Sequence, residues 1–287
     1  MKMRIVVVIN FSRSGGTLLT RILGMLPDIV IASEINPLLG ATPENQAAAP
    51  ALALKRQMEA WYGISLFGEN FVDVVRNLAD RCNDSGKQLI IRDWTHLDFR
   101  KGKHNGWRPT YRFRIIEELN NLAELVPFAF VRDAIDVYLS SGGDLKDFAS
   151  DYLAYTRELV KLGAPIVKYE DLVSQPDKTV KRICDICDLR YSEDYKNFST
   201  NRKCTGDIQL GRTSRGGRQQ SICLLPRKWV SKQRRVQINA CRDLVQANRL
   251  LGYPLTYSNG NTETFCQMVL RRIRNKVETL KRQIYKE

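Results

Sequence analysis

Arg4-Ile-Val-Val-Val-Ile-Asn10 runs into Phe11-Ser-Arg-Ser-Gly-Gly-Thr17 and then into the apolar-periodic Leu18–Leu26. A continuous β-branched run suits a parallel strand buried on both faces. A glycine turn followed by a helical period makes this the first half of a βα unit. A helix begun this way offers backbone N–H groups and the positive end of its dipole to an anion. Gly15 and Gly16 let the main chain approach such an anion closely, while Arg13, Ser14 and Thr17 add side-chain donors. The nucleotide triphosphatase pattern G-x-x-x-x-G-K-[ST] is absent from the chain. Taken alone, the turn is also a common tight connection.

Further strands are read at Ile29–Ala32, Gln88–Arg92, Pro127–Val131 and Pro165–Tyr169. Helices are expected over Phe71–Cys82, Ile115–Leu125, Asp133–Ser141, Asp147–Leu162, Gln175–Cys187 and Lys232–Leu251, with Gly40–Leu54 an irregular surface excursion. Short buried strands alternating with helices predict an α/β fold: a parallel sheet with helices on both faces, in three layers.

A second constellation follows Val131. Arg132 stands at the carboxyl end of a strand, where open α/β sheets bind ligands, and Ser140 lies about two turns into the next helix. An Arg and a hydroxyl so placed can grip a second phosphate.

At this point the chain resembles the sulfotransferases that use 3′-phosphoadenosine-5′-phosphosulfate (PAPS). Ser12-Arg-Ser-Gly-Gly-Thr-Leu18-Leu is similar to their 5′-phosphosulfate loop, with Gly16 where Thr is commoner, and Arg132 through Ser140 is similar to their 3′-phosphate motif. Lys168-Tyr169-Glu170-Asp171-Leu172 resembles a strand-end segment whose Tyr lies near the adenine. Thr205-Gly206-Asp207, with Gly211, Arg212 and Arg215, resembles a late loop closing over the nucleotide. The Arg-Ser-Gly form is nearer to carbohydrate, tyrosyl-protein and bacterial sulfotransferases than to cytosolic phenol enzymes.

The resemblance implies a P-loop-type sulfotransferase domain over residues 1–260 that moves a sulfuryl group from PAPS to a hydroxyl acceptor, without metal. The acceptor is a carbohydrate, a glycolipid or another metabolite, and the product nucleotide is 3′-phosphoadenosine-5′-phosphate (PAP). Ser14 through Leu18 and Arg13 belong to the 5′ site; Arg132, Ser140, Tyr169, Arg212 and Arg215 complete the nucleotide contacts. Arg13 would meet the charge that develops on the leaving phosphate oxygen. Two residues compete as the base, Glu34 after the second strand and His96 in Asp93-Trp-Thr-His-Leu. Glu34 is preferred because it accompanies the Arg-Ser-Gly loop; Asp93 is a weaker third.

Composition bounds the alternatives. The 287 residues carry 45 Lys and Arg against 31 Asp and Glu, a net +14. Arg202–Arg235 holds ten basic residues and one acid, a net +9, and Leu270–Glu287 holds seven and two, a net +5; these sum to the whole +14. Such asymmetry points to an anionic ligand or surface met by the C-terminal part. A basic amphipathic helix is expected over residues 261–287, packed on the domain by default, with an anionic membrane surface or an acidic acceptor as its other partners.

A nucleotide kinase is disfavoured by the missing G-K-[ST]. A nucleic-acid binder is disfavoured because Trp229 alone interleaves the basic stretch with an aromatic ring. Seven scattered Cys read as free thiols in a reducing, cytoplasmic setting, and Cys184-x-x-Cys187 as semi-buried helix residues, since only two His are available to complete a zinc site. Met1–Ile9 lacks the features of a signal peptide, and no apolar run approaches the ~20 residues of a membrane span.

Overall fold

The computed structural model describes residues 3–40, 48–101, 109–205 and 221–258. The five expected strands are all present: β1 (Arg4–Ile9), β2 (Ile29–Ile35), β3 (Gln88–Asp93), β4 (Glu124–Val131) and β5 (Ile166–Lys168). They form one parallel sheet in the order β2-β3-β1-β4-β5. From β1 the chain goes to the edge strand β2, returns to place β3 between β2 and β1, then crosses β1 to add β4 and β5 on the other side. The switch point therefore falls at the carboxyl end of β1, where such sheets bind ligands.

The period of two along β1 sorts the core into two layers. Ile5, Val7 and Ile9 pack with α2 (Ala48–Tyr62), α3 (Phe71–Asp84) and α7 (Leu145–Leu162). Val6 and Val8 face α1 (Gly16–Leu23) and, further along the chain, the helices Tyr169–Ser174 and Pro176–Cys187. These are the three layers expected.

Several boundaries differ from expectation. Residues 48–54, read as part of an irregular excursion, open the helix α2, whose Ala51, Leu54 and Met58 are buried. This helix also covers the open edge of the sheet. The Gln57 side-chain amide exchanges both hydrogen bonds with the Ser33 backbone, and Tyr62 Oη lies at the N and O of Ile31. An edge strand so occupied is no template for pairing. In the order of the chain, α4 is the short turn His96–Phe99 and α5 is Arg114–Leu119, which ends earlier than expected because β4 begins at Glu124. Pro127 sits within β4 but beyond its pairing with β5, which reaches only Ala129–Val131, so one side of the strand is open there. The stretch Lys232–Leu251 is two helices, Lys232–Asn239 and Arg242–Leu250, broken at Ala240–Cys241. Cys184 and Cys187 are fully buried rather than semi-buried, and burial pushes both thiols up, to about 11 and about 12. Among the described residues no helix is long and apolar enough to cross a membrane. The basic segment 261–287 lies outside the described residues.

Candidate functional site

All five strands deliver residues to one edge. After β1 the chain turns through Arg13 at φ 72° and Gly15 at φ 91° before α1 begins at Gly16. Gly15 is required there twice over. Its φ is left-handed, and a Cβ would lie 2.4 Å from the Tyr169 ring. As N-cap, Gly15 supplies no side-chain acceptor to the first turn of α1, and no acid stands in that turn. The N–H groups that open α1 are thus left for an external acceptor, at the positive end of its dipole. Leu18 contributes only main chain, since its side chain is buried in the core.

The two sequence constellations meet. Arg13 Nε donates to Ser140 Oγ at 3.0 Å, across from α6 (Ala134–Ser141). Arg132 Nη1 donates to the Arg13 carbonyl at 3.5 Å, and its guanidinium stacks on Tyr169 at 4.6 Å from the ring centre. Among the described residues the buried Arg132 Nε has no hydrogen-bond partner, so the cation keeps a donor in reserve. Tyr169 is itself buried beneath Gly15 and against Phe130, and supports the loop and Arg132 from below. This donor set of guanidinium, hydroxyl and uncapped amides fits a nucleotide with phosphates at both ends.

On the other flank, a residue that sequence reasoning missed organises the site. Arg92, at the end of β3, is buried and lies 3.1 Å from Glu34 Oε1. It also donates to Ser33 Oγ at 2.8 Å, to Thr205 Oγ1 at 3.1 Å and to Asn10 Oδ1 at 3.4 Å. Thr205 in turn accepts from Thr17 Oγ1 through its carbonyl at 3.5 Å and shares a hydrogen bond with Ser33 Oγ. Glu34 is aimed there by a register shift in β2 between Ser33 and Ile35, with Glu34 itself at φ 57°. A bulge that re-aims one side chain beside a functional edge is a recurrent device. Gly16 belongs to the same arrangement, because a Cβ there would lie 2.4 Å from Asn10 Nδ2 and 2.6 Å from Arg92 Nη1.

His96 is placed differently. It starts α4, is buried, and stands edge-on to Trp94 with ring centres 4.7 Å apart. Asp93 is also buried, and holds Thr95 and Asn36. Asp93 also feels the charge of Arg92 across the end of β3. Arg212 and Arg215 lie outside the described residues. Beyond them the basic stretch returns to the site at two residues passed over in the sequence. Arg227 bonds Asp136 at 3.1 Å and Asp133 at 2.9 Å, and Lys228 Nζ donates to the Leu139 carbonyl, next to Ser140. Burial holds Asp133 above the usual carboxylate range, against the opposing charge of Arg227. Among the described residues no group of three or more His, Cys, Asp or Glu side chains is placed to hold a metal ion.

No protein-family model matches the chain, and no curated protein matches it either. Solved structures do. The sulfotransferase domain of the Synechococcus PCC 7002 olefin synthase is similar over 88% of this chain and 95% of its own, at TM-score 0.58 and 17% identity. The sulfotransferase domain from the curacin biosynthetic pathway matches over 87% of this chain and 98% of its own, at TM-score 0.58 and 14% identity. The chain has the sulfotransferase fold.

Proposed function

We propose that the protein is a PAPS-dependent sulfotransferase acting on a hydroxyl acceptor. The observation that carries this reading is the meeting of Arg13, Ser140 and Arg132 over the uncapped start of α1. Two phosphate-gripping elements, separated by more than a hundred residues, converge at the sheet's switch point. When bound, PAPS supplies an activated sulfuryl group on a phosphate leaving group.

The roles of the chain's own residues follow from position. The amides of Gly15, Gly16 and Thr17 hold the 5′-phosphate, with Thr17 Oγ1 beside them. Arg132, Ser140 and Lys228 hold the 3′-phosphate. Arg13, reaching between the two groups, stabilises the charge that grows on the departing oxygen. Glu34 takes the proton of the acceptor hydroxyl, and Arg92 orients its carboxylate while presenting positive charge under the loop. The preference for Glu34 over His96 rests on this contact, since Arg92 and Thr205 tie Glu34 to the phosphate loop. The acceptor is a carbohydrate, glycolipid or other hydroxyl metabolite.

The experiment is PAP release from PAPS in the presence of a panel of hydroxyl acceptors. Acceptor-dependent release supports the proposal, and release that no hydroxyl compound stimulates overturns it.

A further inference from the structure

Asn36, Asp93 and Asp98 are fully buried, with 0% exposure each, two residues beyond Glu34 and on either side of His96. Asn36 Nδ2 donates to Asp93 Oδ1 and to Asp98 Oδ2, both at 2.9 Å, which uses both of its hydrogens. Asp93 Oδ2 accepts from Thr95 Oγ1 at 2.7 Å. The remaining oxygen, Asp98 Oδ1, lies 3.2 Å from Thr110 Oγ1. Thr110 Oγ1 also lies 3.2 Å from the Arg112 carbonyl, and a hydroxyl has one hydrogen to give. Both contacts become hydrogen bonds when Asp98 Oδ1 carries a proton. The acid then donates to Thr110, and Thr110 donates to Arg112.

We infer that Asp98 is held as a neutral acid and that, with Asn36, it is a positioning residue fastening the Glu34 end of β2 to the turn that carries His96. The charges around it agree. Asp93, at the end of β3, disfavours a second anion, while burial disfavours any anion at Asp98; both act to keep its proton on. Arg114, at the start of α5, acts on Asp98, and Arg92, held by Glu34 of β2, acts on Asp93. From α7, Tyr155 faces Asp93, and Asp151 engages the backbone of Lys101 just beyond α4. His96 shares α4 with Asp98. The catalytic consequence rests on the sulfotransferase reading; the location of the proton does not.

The test is a pH series of thermal unfolding from about pH 4 to about pH 8 on the unaltered protein, Asp98→Asn and Asn36→Ala. An acid whose native pKa is raised loses its native-state advantage as pH climbs past its unfolded value. The melting difference between Asp98→Asn and the unaltered protein should therefore move in the variant's favour as pH rises. A flat difference, a movement the other way, or failure of this near-isosteric variant to fold overturns the inference. In the unaltered protein at neutral pH, an infrared C=O band of a protonated carboxyl that Asp98→Asn removes is the direct signature; no such band contradicts it. For positioning, Asn36→Ala should lower PAPS turnover roughly 10–10²-fold at unchanged PAP affinity, while Asp98→Asn keeps turnover within about threefold. Equal losses in both variants would sink the positioning role. Absence of turnover in the unaltered protein counts against the sulfotransferase reading, while the unfolding series still decides where the proton sits.

Discussion

Arg92 Nη2 lies 3.1 Å from Glu34 Oε1, and the same guanidinium reaches Thr205, Ser33 and Asn10. One buried cation thus joins the ends of β1, β2 and β3 to the residue at which the basic stretch approaches the sheet. Breaking it and neutralising its partner are different perturbations.

Glu34→Gln keeps an acceptor for Arg92, so stability should stay within about 1 kcal/mol and PAP affinity should not change. Turnover should fall by roughly 10²–10⁴, the usual contribution of a positioned base. Arg92→Ala should cost about 3–5 kcal/mol in urea unfolding, because it leaves a half-buried carboxylate and three side-chain oxygens without their donor. If His96→Ala abolishes turnover and Glu34→Gln does not, the base is His96.

Gly16 stands where the resembling family more commonly has Thr, and the space a side chain would need is filled by Asn10 and Arg92. Gly16→Ala should therefore cost about 1–3 kcal/mol as overpacking. In an Asn10→Ala background the cost should shrink, with a coupling of roughly 0.5–3 kcal/mol in a double-mutant cycle. Additive effects would mean that the loop relaxes around the methyl group.

Arg227→Ala removes the cation between Asp133 and Asp136, two carboxylates that are almost wholly buried. The loss should be about 3–5 kcal/mol at neutral pH. Without Arg227 the native pKa of Asp133, already held up by burial, rises further above its unfolded value. Such a group withdraws stability as pH rises from the unfolded value and returns it as pH falls. The deficit measured by urea unfolding should accordingly be smaller near pH 4 than near pH 7.

The strand positions, and the two segments that meet at the Arg13–Ser140 contact, were legible because each is a local pattern: a buried apolar run with polar residues following its carboxyl end. Arg92 had the same signature in Gln88–Arg92 as Arg132 has in Pro127–Arg132, yet the following Asp93–His96 segment drew the reading past it. Helix α2 was hidden because its opening, Ala48-Ala-Pro-Ala-Leu, has no helical apolar period, and its role as an edge cover is a tertiary fact. Arg227 and Lys228 fall within the basic stretch Arg202–Arg235 with nothing local to single them out. Their pairing with α6, about ninety residues earlier, leaves no mark on local sequence. The bulge at Glu34 is likewise invisible in Ile29–Ile35, where any residue type could have carried it.

Arg132→Ala should weaken PAP by ~1.5–3 kcal/mol, the scale of a hydrogen bond to a charged group, and leave AMP affinity unchanged. Equal losses for both nucleotides would place Arg132 at the 5′ end instead.

The most direct test of the account is calorimetric titration of PAP, AMP and ATP into the full chain at one fixed salt concentration. Two phosphate grips at opposite ends of one nucleotide predict tight binding of PAP, with AMP and ATP much weaker. Equal affinity for all three, or no binding of PAP, would contradict the assignment of Arg13, Arg132 and Ser140 to a PAPS site.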